Sequence, residues 1–223
     1  MTRTFRPRLD ILPAAQKRLW TELADLPANF TLYGGTAIAV RLGHRESIDF
    51  DFFTSRDIDP RTLLSDLPLL SGARVLDIQL NTLTVGLDRD GPVKVSFFGV
   101  PKLGRVKPVL RAEDIGLAVA DLLDLGGTKV SVVQVRAEVK DYIDIDVLIS
   151  SGLGLPDMLA AGSTLYGQSF APLSALKALA YFEDDSLKAL PSAVKDRLRR
   201  AVRAVDLDRL PIIPRLPDEG TGS

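Results

Sequence analysis

The first half of the chain is a series of short apolar runs punctuated by glycine and proline, and the period changes from run to run. Leu12, Ala15, Leu19, Leu23 and Leu26 recur at intervals of three and four, with Lys17, Arg18, Glu22 and Asp25 between them, which predicts an amphipathic helix over 12–26 that ends before Pro27. Phe30 to Tyr33 reads as a short buried strand that stops at Gly34-Gly35, and Thr36 to Leu42 as a buried helix closed by Gly43. Ser47 to Thr54 alternates: Ile48, Phe50 and Phe52 fall on one face of a strand, and Asp49, Asp51 and Phe53 on the other. A short helix over 60–67 and three strands over 73–80, 82–87 and 93–98 follow, the last two joined by a hairpin turn at Asp88-Arg89-Asp90-Gly91.

From Glu113 the pattern turns helical. Helices are expected over 114–125, 129–150, 155–162, 172–183 and 193–205, with breaks at Gly126-Gly127, Gly152 to Pro156 and Pro191. Val130 to Val135 is β-branched, so a strand is the alternative there. These patterns make an α/β (α+β) protein with a mixed part over 1–112, a helical part over 113–216 and a disordered polar tail over 217–223.

Composition narrows the chemistry. The 223 residues are 46% hydrophobic and 26% charged, those of an ordinary globular protein. With 28 basic and 29 acidic side chains there is no global basic field, so any contact with nucleic acid rests on local patches. Zero cysteines exclude disulfides, thiol catalysis and cysteine-based zinc sites, and one histidine, His44, excludes histidine clusters. Carboxylates remain as metal ligands. The N-terminus has no apolar run of signal-peptide length, and other apolar runs are broken by charges before the roughly 18 residues of a membrane span, which leads us to expect a cytoplasmic protein with no membrane partner.

One constellation combines these residue types. After Tyr33-Gly34-Gly35 come thirteen residues and then Asp49-Phe50-Asp51-Phe52. The glycines permit a tight turn and close backbone approach, and the helix after them offers free N–H groups and a positive dipole end to phosphate. Two carboxylates two apart on a strand present hard oxygens side by side to Mg²⁺, which prefers carboxylates plus substrate phosphates over closed protein cages. The second constellation is Lys129, after Gly126-Gly127-Thr128, with Arg136, Lys140, Asp141 and Asp144. On one continuous helix Lys129, Arg136, Lys140 and Asp144 would share a face, leaving Asp141 about 100° from Lys140 and favouring Asp144 as the functional carboxylate.

The run GGTAIAVRLGHRESIDFDFF resembles the AbiEii/AbiGii toxin family of nucleotidyltransferases, within the superfamily that shares its catalytic core with DNA polymerase β. The likeness extends over about residues 30 to 148 and includes the downstream lysine and the Lys-Asp-x-x-Asp element. It implies a small mixed sheet flanked by helices and a helical C-terminal part completing the active site. It also implies Mg²⁺-dependent transfer of a nucleotidyl group from an NTP to a tRNA 3′ end or a protein hydroxyl. Under it, Asp49 and Asp51 bind metal, two ions in all, and Gly34, Gly35, Thr36, Arg136 and Lys140 bind nucleotide. Lys129 neutralises the triphosphate, Asp141 or Asp144 orients the acceptor, and the chain is the toxin of a pair with a cognate antitoxin.

One departure stands out. Many superfamily members carry a third carboxylate on a later strand, where Val93-Lys94-Val95-Ser96 offers Ser96, and Asp77 is the substitute to consider. A nucleotidyltransferase-fold binding protein without turnover is therefore the alternative, and a simple phosphohydrolase a further one. The other conspicuous residues have plainer readings: His44 as a helix-end residue, Trp20 as core, and the basic run from Lys195 to Arg203 as the wet side of an amphipathic helix.

Overall fold

The computed structural model describes residues 3–217, so all of the expected tail but Pro217 lies outside the described residues. The chain forms two compact units: one runs up to Leu103 and includes Val109–Ala120, the other comprises Gly104–Pro108 and the chain from Asp121 onward. No single helix among the described residues is long and apolar enough to cross a membrane.

The first unit is built on a mixed sheet of eight strands: β1 (Thr4–Phe5), β2 (Thr31–Tyr33), β3 (Asp49–Thr54), β4 (Arg74–Gln79), β5 (Thr82–Asp88), β6 (Pro92–Gly99), β7 (Leu110–Ala112) and β8 (Ala118–Val119). Their order is β1-β7-β8-β2-β3-β6-β5-β4. Strand β3 is antiparallel to β2 and parallel to β6. Its alternation works as the residues require: Phe50 and Phe52 are fully buried, and with Phe97 of β6 and Phe30 they form a line of stacked and edge-on rings. Trp20, on α1 (Ala14–Glu22), is buried in the same unit and donates its indole N–H to Asp114 at 2.9 Å. Helices α2 (Gly34–Leu42) and α3 (Pro60–Asp66) complete the unit. The hairpin between β5 and β6 turns at Asp90 and Gly91, as the sequence implies, and Arg89 fastens it to α1 by a fork-to-fork pair with Glu22 at 2.7 Å.

The second unit holds α4 (Leu122–Val132), α5 (Val139–Ser150), α6 (Leu155–Tyr166), α7 (Pro172–Ala180) and α8 (Ser192–Arg203). Three expectations are corrected here. No helix covers 114–125: β8 occupies part of that span, and α4 starts at Leu122, capped by the Asp121 carboxylate on the Leu123 N–H at 3.0 Å. Gly126 and Gly127 do not break a helix but lie inside α4, where α6 comes so near that a Cβ on Gly126 would stand 2.6 Å from Met158, and one on Gly127 2.9 Å from the Gly162 nitrogen. The helix expected over 129–150 is two helices, with α4 ending at Val132 and α5 starting at Val139, and Val130 to Val135 forms no strand.

Asp124 of α4 is buried and accepts hydrogen bonds from the Val106 and Lys107 N–H groups at 2.8 and 3.0 Å, fixing the 104–108 segment. Burial pushes its carboxyl up to about 6, against the two N–H donors, which favour the anion. A carboxyl raised in the folded state holds its proton where the unfolded chain has lost it, so this group's contribution to stability falls as pH rises from about 4 to 6. Relative to Asp124→Asn, the wild-type protein is expected to lose up to ~3 kcal/mol of unfolding free energy across that window. Urea titrations of both proteins at half-unit pH steps measure the difference, and a flat difference would contradict the assignment.

Candidate functional site

Strand β2 ends at Tyr33 in extended backbone, and α2 begins at Gly34, two residues before the expected start. Gly34 has φ +72°, and a Cβ added to it would stand 2.8 Å from Oδ2 of Asp51. Glycine is thus required twice over, by conformation and by the approach of the backbone to a carboxylate. Gly34→Ala is expected to cost about 1–3 kcal/mol of stability and to displace Asp51. Thermal melting together with divalent-cation binding reads both effects.

Asp49 and Asp51 lie on the same face of β3, Asp51 in register with Tyr33. The Thr36 hydroxyl does not face solvent. It is buried, shares a hydrogen bond with Ser47 Oγ at 2.7 Å and donates to the Asp49 carbonyl, tying α2 to the start of β3. Asp49 keeps about a third of its side-chain surface exposed and pairs with Lys94 of β6, whose Nζ is 3.2 Å from Oδ2. Ser96, opposite Asp51, is 4% exposed and accepts from the Thr84 hydroxyl at 3.3 Å. Asp77 is no substitute for a third carboxylate: it pairs with Thr84, which pairs with Ser96, which pairs with Asp51. That places it three strand spacings from Asp51, about 14 Å.

Among the described residues no group of three or more histidine, cysteine or carboxylate side chains could enclose a metal ion. The pair Asp49 and Asp51 nevertheless fits Mg²⁺, because two hard carboxylates leave the remaining positions to water and substrate phosphate. The glycine cradle that a Cβ would fill brings the start of α2 close to the Asp51 oxygen.

In the second unit Lys129 and two carboxylates of α5 form a buried cluster. Lys129 Nζ is 2.6 Å from Asp141 and 2.7 Å from Asp144, with the lysine side chain 8% exposed and both aspartates fully buried. Arg136, in the link between the helices, adds a second cation to Asp141 at 3.0 Å. The single-face arrangement expected for Lys129, Arg136, Lys140 and Asp144 is therefore not present, because the helix carrying it is interrupted at 133–138. The three-residue spacing brings both aspartates onto one lysine, so Asp144 is not singled out, and Lys140 instead pairs with Glu138 at 3.1 Å.

Two residues enter the site that sequence reasoning passed over. Ser47 anchors Thr36, and Lys94 meets Asp49. The alternation Lys94-Val95-Ser96 already put Lys94 and Ser96 on one face, but its register against β3 is a long-range pairing.

Solved structures share this fold. MenT4, a nucleotidyltransferase toxin from Mycobacterium tuberculosis, matches with a TM-score of 0.61 at 16% identity over 87% of this chain and 83% of its own. A candidate nucleotidyltransferase from Helicobacter pylori matches with a TM-score of 0.55 at 16% identity over 85% of this chain and 90% of its own. The family model described as nucleotidyl transferase AbiEii toxin, type IV toxin–antitoxin system, matches residues 18–214, and the chain belongs to that family of nucleotidyltransferase enzymes. An uncharacterised protein of Aquifex aeolicus is 31% identical over 160 residues, 70% of this chain and 75% of that protein.

Proposed function

We propose that the protein moves a nucleoside monophosphate from an NTP to a hydroxyl acceptor, a tRNA 3′ end or a protein side chain, and that it is the toxin of a pair with a cognate antitoxin. The observation that carries the reading is the seating of Gly34 against Asp51, with Asp49 on the same strand face. In the reaction the acceptor oxygen bonds to the α-phosphorus, the bond from that phosphorus to the β-phosphate bridge breaks, pyrophosphate leaves and the proton of the acceptor hydroxyl passes to solvent water.

Asp49 and Asp51 would hold Mg²⁺, two ions in the fullest arrangement. Bound there, the metal supplies Lewis-acid polarisation of the phosphoryl oxygens and charge neutralisation. Gly34 and Gly35 offer backbone N–H groups to phosphate at the α2 N-terminus. Thr36 serves as a positioning residue, since its hydroxyl holds the Asp49 backbone rather than a ligand. The resemblance assigns Lys129 to the triphosphate, with Arg136 and Lys140 as further nucleotide contacts. The resemblance assigns the acceptor to Asp141 or Asp144; both are buried and hold the Lys129 ammonium in place, so their part is to position that lysine.

The test is incubation of the protein with each α-labelled NTP, Mg²⁺ and either total tRNA or cell lysate. Label passing to an acceptor identifies the NTP and the acceptor together, whereas release of inorganic phosphate with no labelled acceptor indicates a phosphohydrolase. Ser96 in place of a third carboxylate favours one other reading, a binding protein without turnover. Pyrophosphate release separates the two, because both bind nucleotide and only the transferase produces it.

A further inference from the structure

The sheet register sets a cation, Lys94, directly beside one of the paired carboxylates. It lies opposite Asp49 on β6, and its ammonium is 3.2 Å from Asp49 Oδ2. On its other side the register partner is Gly86 of β5, and from where a Cβ on Gly86 would stand Leu76 of β4 is 3.6 Å away and the Arg74 Nε, on the same strand, 3.9 Å. The β5 side of Lys94 thus holds an apolar side chain and a like charge, and the β3 side a carboxylate, which biases the ammonium toward Asp49. The lysine side chain is 47% exposed, so it is free to swing to another anion when one arrives.

We propose that Lys94 is an internal counter-ion of Asp49 that competes with a divalent cation for this carboxylate and yields when a nucleotide brings phosphate as an alternative partner for the ammonium. The proposal rests on the functional reading above and adds a regulatory step to it: the carboxylate pair loads metal together with nucleotide rather than before it. A cation of charge two and an ammonium about 6 Å apart in a water-like medium repel by the equivalent of about tenfold in affinity. The effect is greatest at low ionic strength, where screening is weak.

The test uses Mn²⁺ alone as the probe, with free ion measured by electron paramagnetic resonance on the full chain at low salt and without nucleotide. Lys94→Met is expected to bind Mn²⁺ about tenfold more tightly than wild type, Lys94→Arg to bind as wild type does, and all three to melt at similar temperatures. With a non-hydrolysable NTP analogue present, the gap between Lys94→Met and wild type narrows. Equal Mn²⁺ affinity in Lys94→Met and wild type, with binding lost in Asp49→Asn, overturns the counter-ion role and leaves the metal assignment standing. Mn²⁺ binding that survives Asp49→Asn unchanged overturns the metal assignment itself, and the counter-ion role with it. A gap that persists undiminished with the analogue overturns the release by nucleotide.

Discussion

Asp51→Asn is expected to lower nucleotidyl transfer by on the order of 10³-fold while the protein melts within a few degrees of wild type. Asparagine keeps the volume of aspartate beside the Gly34 backbone but removes the negative charge that a divalent cation requires. The parallel strand β6 offers Ser96 opposite, a neutral hydroxyl already engaged with Thr84, which does not replace the lost charge. Asp77→Asn is the control. It removes a carboxylate from the same row of the sheet, about 14 Å away, and is expected to leave transfer within about twofold of wild type. Initial rates of label transfer for the three proteins decide the matter. An Asp51→Asn protein that transfers normally would sink the assignment of the carboxylate pair, whereas equal losses in both variants would point to a general effect of sheet charge.

The second large effect is on stability. Lys129→Met is expected to destabilise the fold by about 3–5 kcal/mol, because it removes the ammonium that bridges two fully buried carboxylates. For a chain of this size that corresponds to a drop in melting temperature of roughly 10 °C. Arg136 still reaches Asp141, but its side chain is half exposed and compensates only in part. Adding Asp144→Leu to Lys129→Met is expected to restore some of the stability, since an apolar side chain then replaces a buried charge. Denaturant melts of the single and double variants measure this directly. If Lys129→Met melts within about 2 °C of wild type, the cluster contributes no net stability, and its burial has to be explained by function alone.

These two experiments probe two groups of residues, one in each unit, that were legible to different degrees. The Gly34-Gly35 turn and the alternation of Asp49 and Asp51 are local features, and local geometry sets them: a strand has a period of two, and few residues other than glycine reach positive φ without strain. Both are present in the structure. The lysine and the two aspartates of the second unit could be named from their residue types and order, but their arrangement could not. A continuous helix would have spread them along one stripe, and the interruption at 133–138 instead folds Lys129 back onto both aspartates. The glycines inside α4 misled for a related reason, because glycine signals both a chain break and a close helix contact, and only the packing partner tells them apart.

The sequence by itself determined the hairpin of β5 and β6, the succession of strands from β2 to β6, and the face on which the paired carboxylates lie. It also excluded thiol and histidine-cluster chemistry outright. Tertiary structure alone decided what stands beside each carboxylate: Lys94 against Asp49, Gly34 against Asp51, and Lys129 between Asp141 and Asp144. It likewise removed Asp77 from the site and turned the Thr36 hydroxyl inward. The physical reason is the same in each case. Periodicity is a property of neighbours along the chain, whereas strand register and helix docking join residues tens of positions apart and are settled by the packing of the whole core.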